Sequence, residues 1–570
     1  MYDVLFITPS YHPTMVEEFG GTLLLATILK QKGLKVQIHR FFEADTKSGI
    51  DLFVEQTVKI ILKKDPKIVS FYCRCDCFLA NLMISRRLKE LRPDIFIVFG
   101  GPQADIAAYD TLNEIPWVDF CCKGEGETTV YPLFSALLSG GDPTAVAGLC
   151  YRDADGKIRQ NEPAELIADL DTLPFIDYSF IPDAALQHSL GQGTAATIEV
   201  GRGCPFNCAY CSSSRFWKRK FRMKSAKRIV DEMIYMNEQL GFTKFIFEHD
   251  LFTASKKKVF EFTKALKDSG KQFTWACSSR VDTLDEETID EMASCGLRSV
   301  FLGVESGSDR MQKLMNKNLK KEDIIRTVTA LGKRGIKMTA SFIYALPEET
   351  EEDIEQTLQM AYKLRTLGAK VIQFHLCAIF DGTEYYYRYA DKLSLSTAKT
   401  DVVGDFGVFE CQDFIKEHKK LFSYCYEYKS DIRDRYILLG EYGTQTIAMY
   451  KKFMALMPEQ FKNKKLTELV LEVIGMYNKP PEKSGAEIIK DYCHRYFTGE
   501  TQTKMEAIFD FYIDQRKAVR DPDFFMDAKE YPIDINAVIA KKKLDDIPLQ
   551  PTLVCFKKHG KKVAVVATPM

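Results

Sequence analysis

Gly201-Arg-Gly-Cys-Pro-Phe-Asn-Cys-Ala-Tyr-Cys-Ser-Ser-Ser214 decides the reading of this chain. It sets Cys204, Cys208 and Cys211 in the spacing C-x3-C-x2-C, directly after an apolar, strand-like run, Ala196-Thr-Ile-Glu-Val200. Gly201, Gly203 and Pro205 disfavour a helix interior, so the cysteines are expected on a bent loop. Three thiolates on one loop suit a soft metal or an iron–sulfur cluster. A closed structural zinc site takes four ligands, and no fourth cysteine or histidine lies close by in the sequence. Three ligands on a four-iron cube leave one iron open for a substrate or cofactor. The competing reading is three buried cysteines that bind nothing.

The triplet resembles the signature of the radical S-adenosylmethionine (radical SAM) superfamily, C-x3-C-x-aromatic-C, with Tyr210 as the aromatic. The resemblance implies a [4Fe–4S] cluster on Cys204, Cys208 and Cys211, with SAM chelating the open iron. Electron transfer would then split SAM and release a 5′-deoxyadenosyl radical. Tyr210 would lie near the adenine.

A chain of 570 residues is too long for one core, so several domains are expected. Hydrophobic residues at 46% and charged residues at 28% are ordinary for a soluble globular protein. With 78 basic against 79 acidic residues, a general nucleic-acid binder is not expected. Sixteen cysteines without a signal peptide point to the reducing cytoplasm. No apolar run is long enough for a transmembrane helix.

Over residues 1–145, strand-like runs at 3–8, 35–40, 68–72 and 95–99 alternate with helical ones at 22–32, 53–64 and 79–91. That alternation predicts a doubly wound, Rossmann-like parallel sheet, whose ligands bind beyond the carboxyl ends of the strands. Two glycine turns fall at such ends: Gly100-Gly101-Pro102-Gln103, and Gly124-Glu125-Gly126-Glu127. Together with the Pro9…Gly20-Gly21 segment they resemble the cobalamin-binding domain of B12-dependent radical SAM enzymes. The resemblance implies that Gly100, Gly101, Pro102, Gly124, Glu125, Gly126 and Glu127 contact cobalamin. Gln103 replaces a frequent histidine, and no D-x-H-x-x-G motif is present, so a base-off cobalamin without a histidine ligand is expected. His12 reads as a loop residue. In Cys73-Arg-Cys-Asp-Cys77 a strand would put three thiols on one face; they read as core residues, with a second metal site as the alternative.

Residues 146–190 read as a linker, containing a hairpin that turns at Asp155-Gly156 and a proline-bearing strap at 170–183. Over 191–385, helix–strand pairs at 226–240/244–247, 257–268/273–277, 285–293/299–303, 321–334/337–343 and 351–367/371–376 predict a partial (β/α)6 barrel, with ligand residues at the strand ends. There, Gly303-Val-Glu305-Ser-Gly307 is similar to the family's GVES element. The resemblance implies that Glu305 faces the SAM ribose, Arg280 helps hold SAM, and Asp250, surest of Glu248-His249-Asp250, meets its amino group. The family's G-x-P-G-E-T reads Ala345-Leu-Pro-Glu-Glu-Thr350 here, and its later P-G-T reads Asp381-Gly-Thr383. The basic run Arg215–Lys224 reads as a solvated surface, or as a contact for anionic groups.

Residues 386–570 read as a mostly helical region that closes the barrel and binds substrate, with helices at 467–477 and 486–497. Cys411, Cys425, Cys493 and Cys555 have no close pairing and read as structural thiols. The resemblance, over residues 1 to about 385, implies a cobalamin-dependent radical SAM methyltransferase. One SAM would methylate cobalamin, and a second would yield the radical that activates a carbon. The acceptor would be an unactivated carbon, or a phosphinate phosphorus, of a small molecule, natural product or peptide, and flavodoxin or ferredoxin would donate electrons. The alternatives are a cyclase or rearrangement enzyme without net methylation, and a non-enzymatic corrinoid carrier. No catalytic residue beyond these is assigned.

Overall fold

The computed structural model describes residues 2–10, 20–42, 49–181, 195–396, 407–453, 463–477, 485–499 and 502, with strands at 529–532, 552–558 and 561–567. His12 lies outside these residues. The chain forms two compact units, Met1–Ser278 with Ala378–Lys429, and Ser279–Cys377 with Ser430–Met570.

In the first unit, the N-terminal sheet contains β1 (Tyr2–Ser10), β2 (Val36–Phe42), β3 (Pro66–Tyr72), β4 (Phe96–Gly100), β5 (Phe120–Cys122), β6 (Leu149–Arg152) and β7 (Ile158–Gln160). Their order is β2-β1-β3-β4-β5-β6-β7. The first five are parallel, and the hairpin β6–β7 adds antiparallel strands, with Cys121 opposite Cys150. The hairpin read into the linker therefore extends this sheet. Val4, Leu5 and Ile7 are wholly buried, as befits a central parallel strand covered on both faces. Strand order reverses between β1 and β3, which opens a crevice at their carboxyl ends. The helices are α1 (Gly20–Gln31), α2 (Ile50–Lys64), α3 (Phe78–Leu91), α4 (Pro102–Glu114) and α5 (Val130–Ser139).

Two expectations change here. Strand β3 stops at Tyr72, and Cys73–Cys77 forms the turn into α3, so the three thiols do not share a strand face. Burial raises the pKa of all three, in keeping with the core reading. Part of the region read as a barrel cap instead packs on the N-terminal sheet's helices. Gln103 Nε2 donates to Leu421 O (3.0 Å), Ile50 N donates to Glu410 Oε2 (3.0 Å), and Phe422 packs on Phe78.

The first unit continues with β8 (Ala196–Glu199), a short antiparallel pair β9 (Gly201–Arg202) and β10 (Arg222–Met223), then β11 (Lys244–Glu248) and β12 (Thr274–Ser279). Strands β8, β11 and β12 are parallel with β11 in the middle. Helices Ala226–Leu240 and Lys256–Asp268 connect them, capped by Ser225 and Ser255, whose hydroxyls accept from Arg228 N and Lys258 N. Trp275 stacks on Phe247 at 4.9 Å and meets Phe252 and Phe262 edge-on, which fills the core behind β11.

The second unit holds β13 (Leu297–Glu305), β14 (Lys337–Tyr344) and β15 (Val371–Leu376), parallel with β14 central. Helix Leu439–Phe453 lies along β15, where Thr444 Oγ1 donates to Ile372 O (2.7 Å). Six parallel strands in all, three per unit, match the expected strand count. Helices Leu466–Tyr477 and Gly485–Tyr496 agree with the helical reading of the C-terminal region. That reading missed an antiparallel sheet of Lys529–Pro532, Thr552–Lys558 and Lys561–Ala567. Its signal was present in the β-branched runs Thr552-Leu-Val and Val563-Ala-Val-Val566.

Ala345 and Glu348, which replace the family's two glycines, both hold left-handed backbone, with φ of 56° and 65°. A Cβ there is strained by about 1–2 kcal/mol. Glu348 is exposed, so Glu348→Gly is expected to stabilise the chain by about 1 kcal/mol, once the extra freedom of glycine in the unfolded state is subtracted. Denaturant unfolding checks the sign; a destabilised variant contradicts the strain.

Candidate functional site

The cysteine loop is held from both ends. Strand β9 leads in and pairs with β10, Arg202 lying opposite Arg222. Gly203 follows at φ 85°, and a Cβ there would come within 2.1 Å of Lys220 O, so only glycine fits. Asp250 Oδ2 accepts from Gly203 N (2.9 Å) and its Oδ1 accepts from the Ser213 hydroxyl. Tyr385 N donates to Ala209 O (3.1 Å). Cys204, Cys208 and Cys211 are each partly exposed. Burial pushes the Cys204 thiol up to about 11, opposed by the Phe206 amide that points at it; burial likewise raises Cys211, opposed by the Ser213 amide. Amides aimed at sulfur suit thiolate ligands, and taking up a cluster would release protons.

One cavity of about 540 Å³ joins this loop to the N-terminal sheet. Its walls include Ser70 and Tyr72 at the end of β3, Gly100, Gly101 and Pro102 after β4, and Gly124, Glu125, Gly126 and Glu127 after β5. Opposite stand Glu199, Arg202, Ser212, Ser213 and Glu248. The lining is mainly apolar with a few converging polar groups, as in small-molecule and cofactor sites. Among the described residues no histidine lines it.

The glycine turns serve different ends. Gly101 has φ 98°, and a Cβ on it would lie 2.9 Å from the Tyr72 ring, so it is glycine for the backbone's sake. Gly126 has no such strain, and a Cβ would meet only the flexible ends of Leu25 and Val130. Glu125 and Glu127, expected at cobalamin, are engaged in protein ion pairs. Arg202 donates to Glu125 Oε1 (2.5 Å), Glu127 Oε1 (2.6 Å) and Glu199 Oε1 (2.8 Å). Arg222 donates to Glu125 Oε2 (2.8 Å) and to Ile167 O (2.7 Å), and Ile167 N donates back to Glu125 (2.6 Å). Burial works against the Glu125 charge, yet the hydrogen bonds from Arg222 and Arg202 outweigh it and hold the carboxyl below its usual range. Lys224 likewise turns inward onto Glu232 (2.7 Å). This network was missed in the sequence because its five members are scattered over about a hundred residues.

Asp250, expected at the SAM amino group, uses both oxygens on the cysteine loop; Glu248 is the carboxyl of that strand end that opens into the cavity. Glu248 sits beside Glu199 across the strand pair. Its side chain is open to the cavity, yet the surrounding walls desolvate it; that first, then the Glu199 and Asp250 charges, raise its pKa to about 7, against Arg202. Burial lowers His249 to about 4; its Nε2 lies 3.2 Å from Gly203 O and its ring stacks on Phe221, so it packs as a neutral core residue.

In the second unit, Arg280 forms a fork onto Asp282 (2.9 and 3.0 Å) and donates to Lys317 O (2.9 Å). Glu305, at φ 66°, accepts from Lys317 Nζ (2.6 Å), and both side chains are buried. Lys317 thus ties Arg280 to Glu305, a partner the sequence reading lacked. A Cβ on Gly303 would lie 2.4 Å from the Glu305 carboxylate, which explains the glycine of the GVES element.

The radical SAM superfamily pattern matches residues 198–361, and the B12 binding domain pattern matches residues 20–133. An uncharacterized methyltransferase, PH0819, of Pyrococcus horikoshii is 31% identical over 348 residues, 61% of this chain and 74% of the relative. This chain belongs to the radical SAM superfamily. Within it, the B12 domain places it in the cobalamin-binding branch, and its cofactors are a [4Fe–4S] cluster, SAM and cobalamin. An anaerobic magnesium-protoporphyrin IX monomethyl ester cyclase of Rubrivivax gelatinosus is also 31% identical, over 379 residues, 63% of this chain and 65% of that enzyme. The fold matches that of the radical SAM methyltransferase TsrM of Kitasatospora setae, solved with cobalamin and a [4Fe–4S] cluster, at TM-score 0.61 and 16% identity over 91% of this chain and 100% of that one. It also matches the cobalamin-dependent radical enzyme OxsB at TM-score 0.61 and 15% identity, over 96% and 82%. Among the described residues no helix is long and apolar enough to cross a membrane.

Two outcomes follow for this radical SAM protein. Glu125→Gln leaves two buried arginines under-compensated and is expected to cost about 3–5 kcal/mol. Arg222→Met should then cost less in that background than in wild type, read by thermal unfolding of both single variants and the double; additive losses refute the pairing. For Glu248, a raised folded-state pKa means that the folded, unliganded chain binds the proton more tightly than the unfolded chain. Its contribution is full below pH 4.5 and is lost as pH rises through about 7. Glu248→Gln should therefore raise the melting temperature relative to wild type above pH 7 and leave that difference smaller in acid.

Proposed function

We propose that this enzyme is a cobalamin-dependent methyltransferase that acts on an unactivated carbon, or a phosphinate phosphorus, of a small molecule, natural product or peptide. The observation that carries the reading is the single cavity shared by the sheet crevice and the cysteine loop. A methyl carrier in the crevice and a radical source on the loop would then meet one substrate. Support comes also from relatives named as methyltransferases, including a cytidylyl-2-hydroxyethylphosphonate methyltransferase of Streptomyces wedmorensis, 24% identical over 60% of this chain. Cyclases among the relatives keep a second reading, ring formation without net methylation.

When bound, the cluster supplies the electron that splits SAM, and cobalamin supplies methyl carriage. The chain's own residues have the following parts. Cys204, Cys208 and Cys211 hold the cluster, and Asp250 keeps their loop in shape. Glu248 would offer a carboxyl to the SAM amino group, and Tyr210 would serve the adenine. Within the second unit, Lys317 ties together Arg280 and Glu305, the pair that the resemblance assigns to SAM. Gly100, Pro102, Gly124 and Gly126 would leave room for a flat corrin. The described cysteines are all unbridged, in keeping with work in the reducing cytoplasm alongside a flavodoxin or ferredoxin.

Anaerobically reconstituted wild type is expected to hold about four irons, to bind base-off cobalamin and to form 5′-deoxyadenosine from SAM. Cys204→Ala, Cys208→Ala or Cys211→Ala should each abolish that cleavage. Gly126→Trp should lose cobalamin and keep iron, whereas Gly101 variants strain the backbone and do not separate the two. Full SAM cleavage by a cysteine variant, or a wild type that takes up no cobalamin, sinks the reading. Mass spectrometry with methyl-labelled SAM separates methylation from cyclisation.

A further inference from the structure

The basic run Arg215–Lys224 divides in two. Arg222 and Lys224 turn inward onto Glu125 and Glu232. Lys218, Arg219 and Lys220 point outward, exposed, and none of the three forms an ion pair among the described residues. Lys218 and Arg219 are consecutive residues in left-handed backbone, φ 51° and 56°, a conformation that costs each about 1–2 kcal/mol. Backbone bonds hold the turn: Lys218 N to Arg215 O (3.1 Å), Arg219 N to Ser214 O (3.1 Å) and Lys220 N to Trp217 O (2.9 Å). An ordered, strained turn carrying three unpaired cations differs from a flexible charged tail.

Its position gives it a use. Lys218 and Arg219 line a second, open groove of about 390 Å³ together with Asn207 and Cys208. Cys208 is thus the cluster cysteine that lines this groove, while the joint cavity, which shares Arg215 with it, is lined by none of the three. The groove's carboxylate, Glu384, is already engaged by Arg388. The local charge is therefore positive beside a cysteine assigned to the cluster. Such a patch attracts an acidic partner over a Debye length and orients it on arrival.

Resting on the reading of Cys208 as a cluster ligand, we propose that Lys218, Arg219 and Lys220 form the docking face for a small acidic one-electron carrier protein. The reduced carrier gives up one electron, which the cluster accepts; no covalent bond forms between the two proteins, and the three cations act by position and charge alone.

The test compares the reconstituted holoenzyme with Lys220→Glu and with the triple variant Lys218→Glu/Arg219→Glu/Lys220→Glu. Oxidised flavodoxin is the probe for binding; reduced flavodoxin and dithionite are the alternative reductants for 5′-deoxyadenosine formation. The triple variant should bind flavodoxin about tenfold or more weakly at low salt and lose most of the salt dependence shown by wild type. Its flavodoxin-driven SAM cleavage should fall in step, while dithionite-driven cleavage and iron content stay at the wild-type level. Lys220→Glu should show a smaller loss of the same kind. Unchanged flavodoxin binding in the triple variant overturns the proposal. Equal losses with flavodoxin and dithionite also overturn it, because the residues would then serve the cluster or SAM. A wild type inert with dithionite instead overturns the cluster assignment itself, and is told apart by its iron content.

Discussion

Arg202 is the side chain on which the first unit depends. It lies two residues before Cys204 and reaches Glu125, Glu127 and Glu199, so the turn after β5 and the cysteine loop are fastened to one guanidinium. Arg222, its cross-strand neighbour, grips the other oxygen of Glu125. A buried charge is tolerated only when paired and hydrogen-bonded, and here two cations face three carboxylates with little water between them. The planar, forked guanidinium of Arg202 suits that task, meeting three carboxylates in fixed directions, whereas Arg222 reaches Glu125 and Ile167 O through Nη1 alone. The spacing between the sheet crevice and the cluster loop is thereby set by charge pairing rather than by apolar packing, which tolerates sliding.

The same economy of polar groups runs through the second unit. Lys317 joins Glu305 to Arg280 by using its ammonium for one and its carbonyl for the other. Gly303 is glycine because the Glu305 carboxylate occupies the place of a Cβ. Glu305 itself accepts left-handed backbone, a strain of the kind found where a side chain must be aimed. The first glycine and the glutamate of this motif are thus accounted for by one ion pair and one close approach, and Gly307 by a second, since a Cβ there would lie 2.2 Å from Gln356 O.

Much of this was legible in the chain. The helix at 226–240 and the strand at 371–376 came out with the observed bounds, because strong periodicity and clear caps leave little choice. The cysteine triplet was legible because metal ligation demands local spacing. What failed had a common cause. The strand expected through Cys73 ended early, since the packing of α3 and the buried thiols, not strand propensity, shaped that turn. The protein partners of Glu125 and Asp250 were not foreseen, since their carboxylates answer to residues far away in sequence. The segment Ala378–Lys429 was assigned to the barrel or its cap, yet part of it braces the N-terminal helices through Gln103, Ile50 and Phe78.

By itself, then, the sequence determined most of the elements of the two parallel sheets, their order, and which three cysteines share one loop, because periodicity, caps and ligand spacing are properties of neighbours along the chain. Only the tertiary structure decided that Arg202 pairs with Glu125, that Glu248 rather than Asp250 opens into the cavity, and that one basic run has an inner and an outer half. Each of those outcomes depends on desolvation and on charges brought together from distant positions. Desolvation can raise one carboxyl, Glu248, while arginine pairing lowers another, Glu125, and no local pattern of residues encodes which will happen.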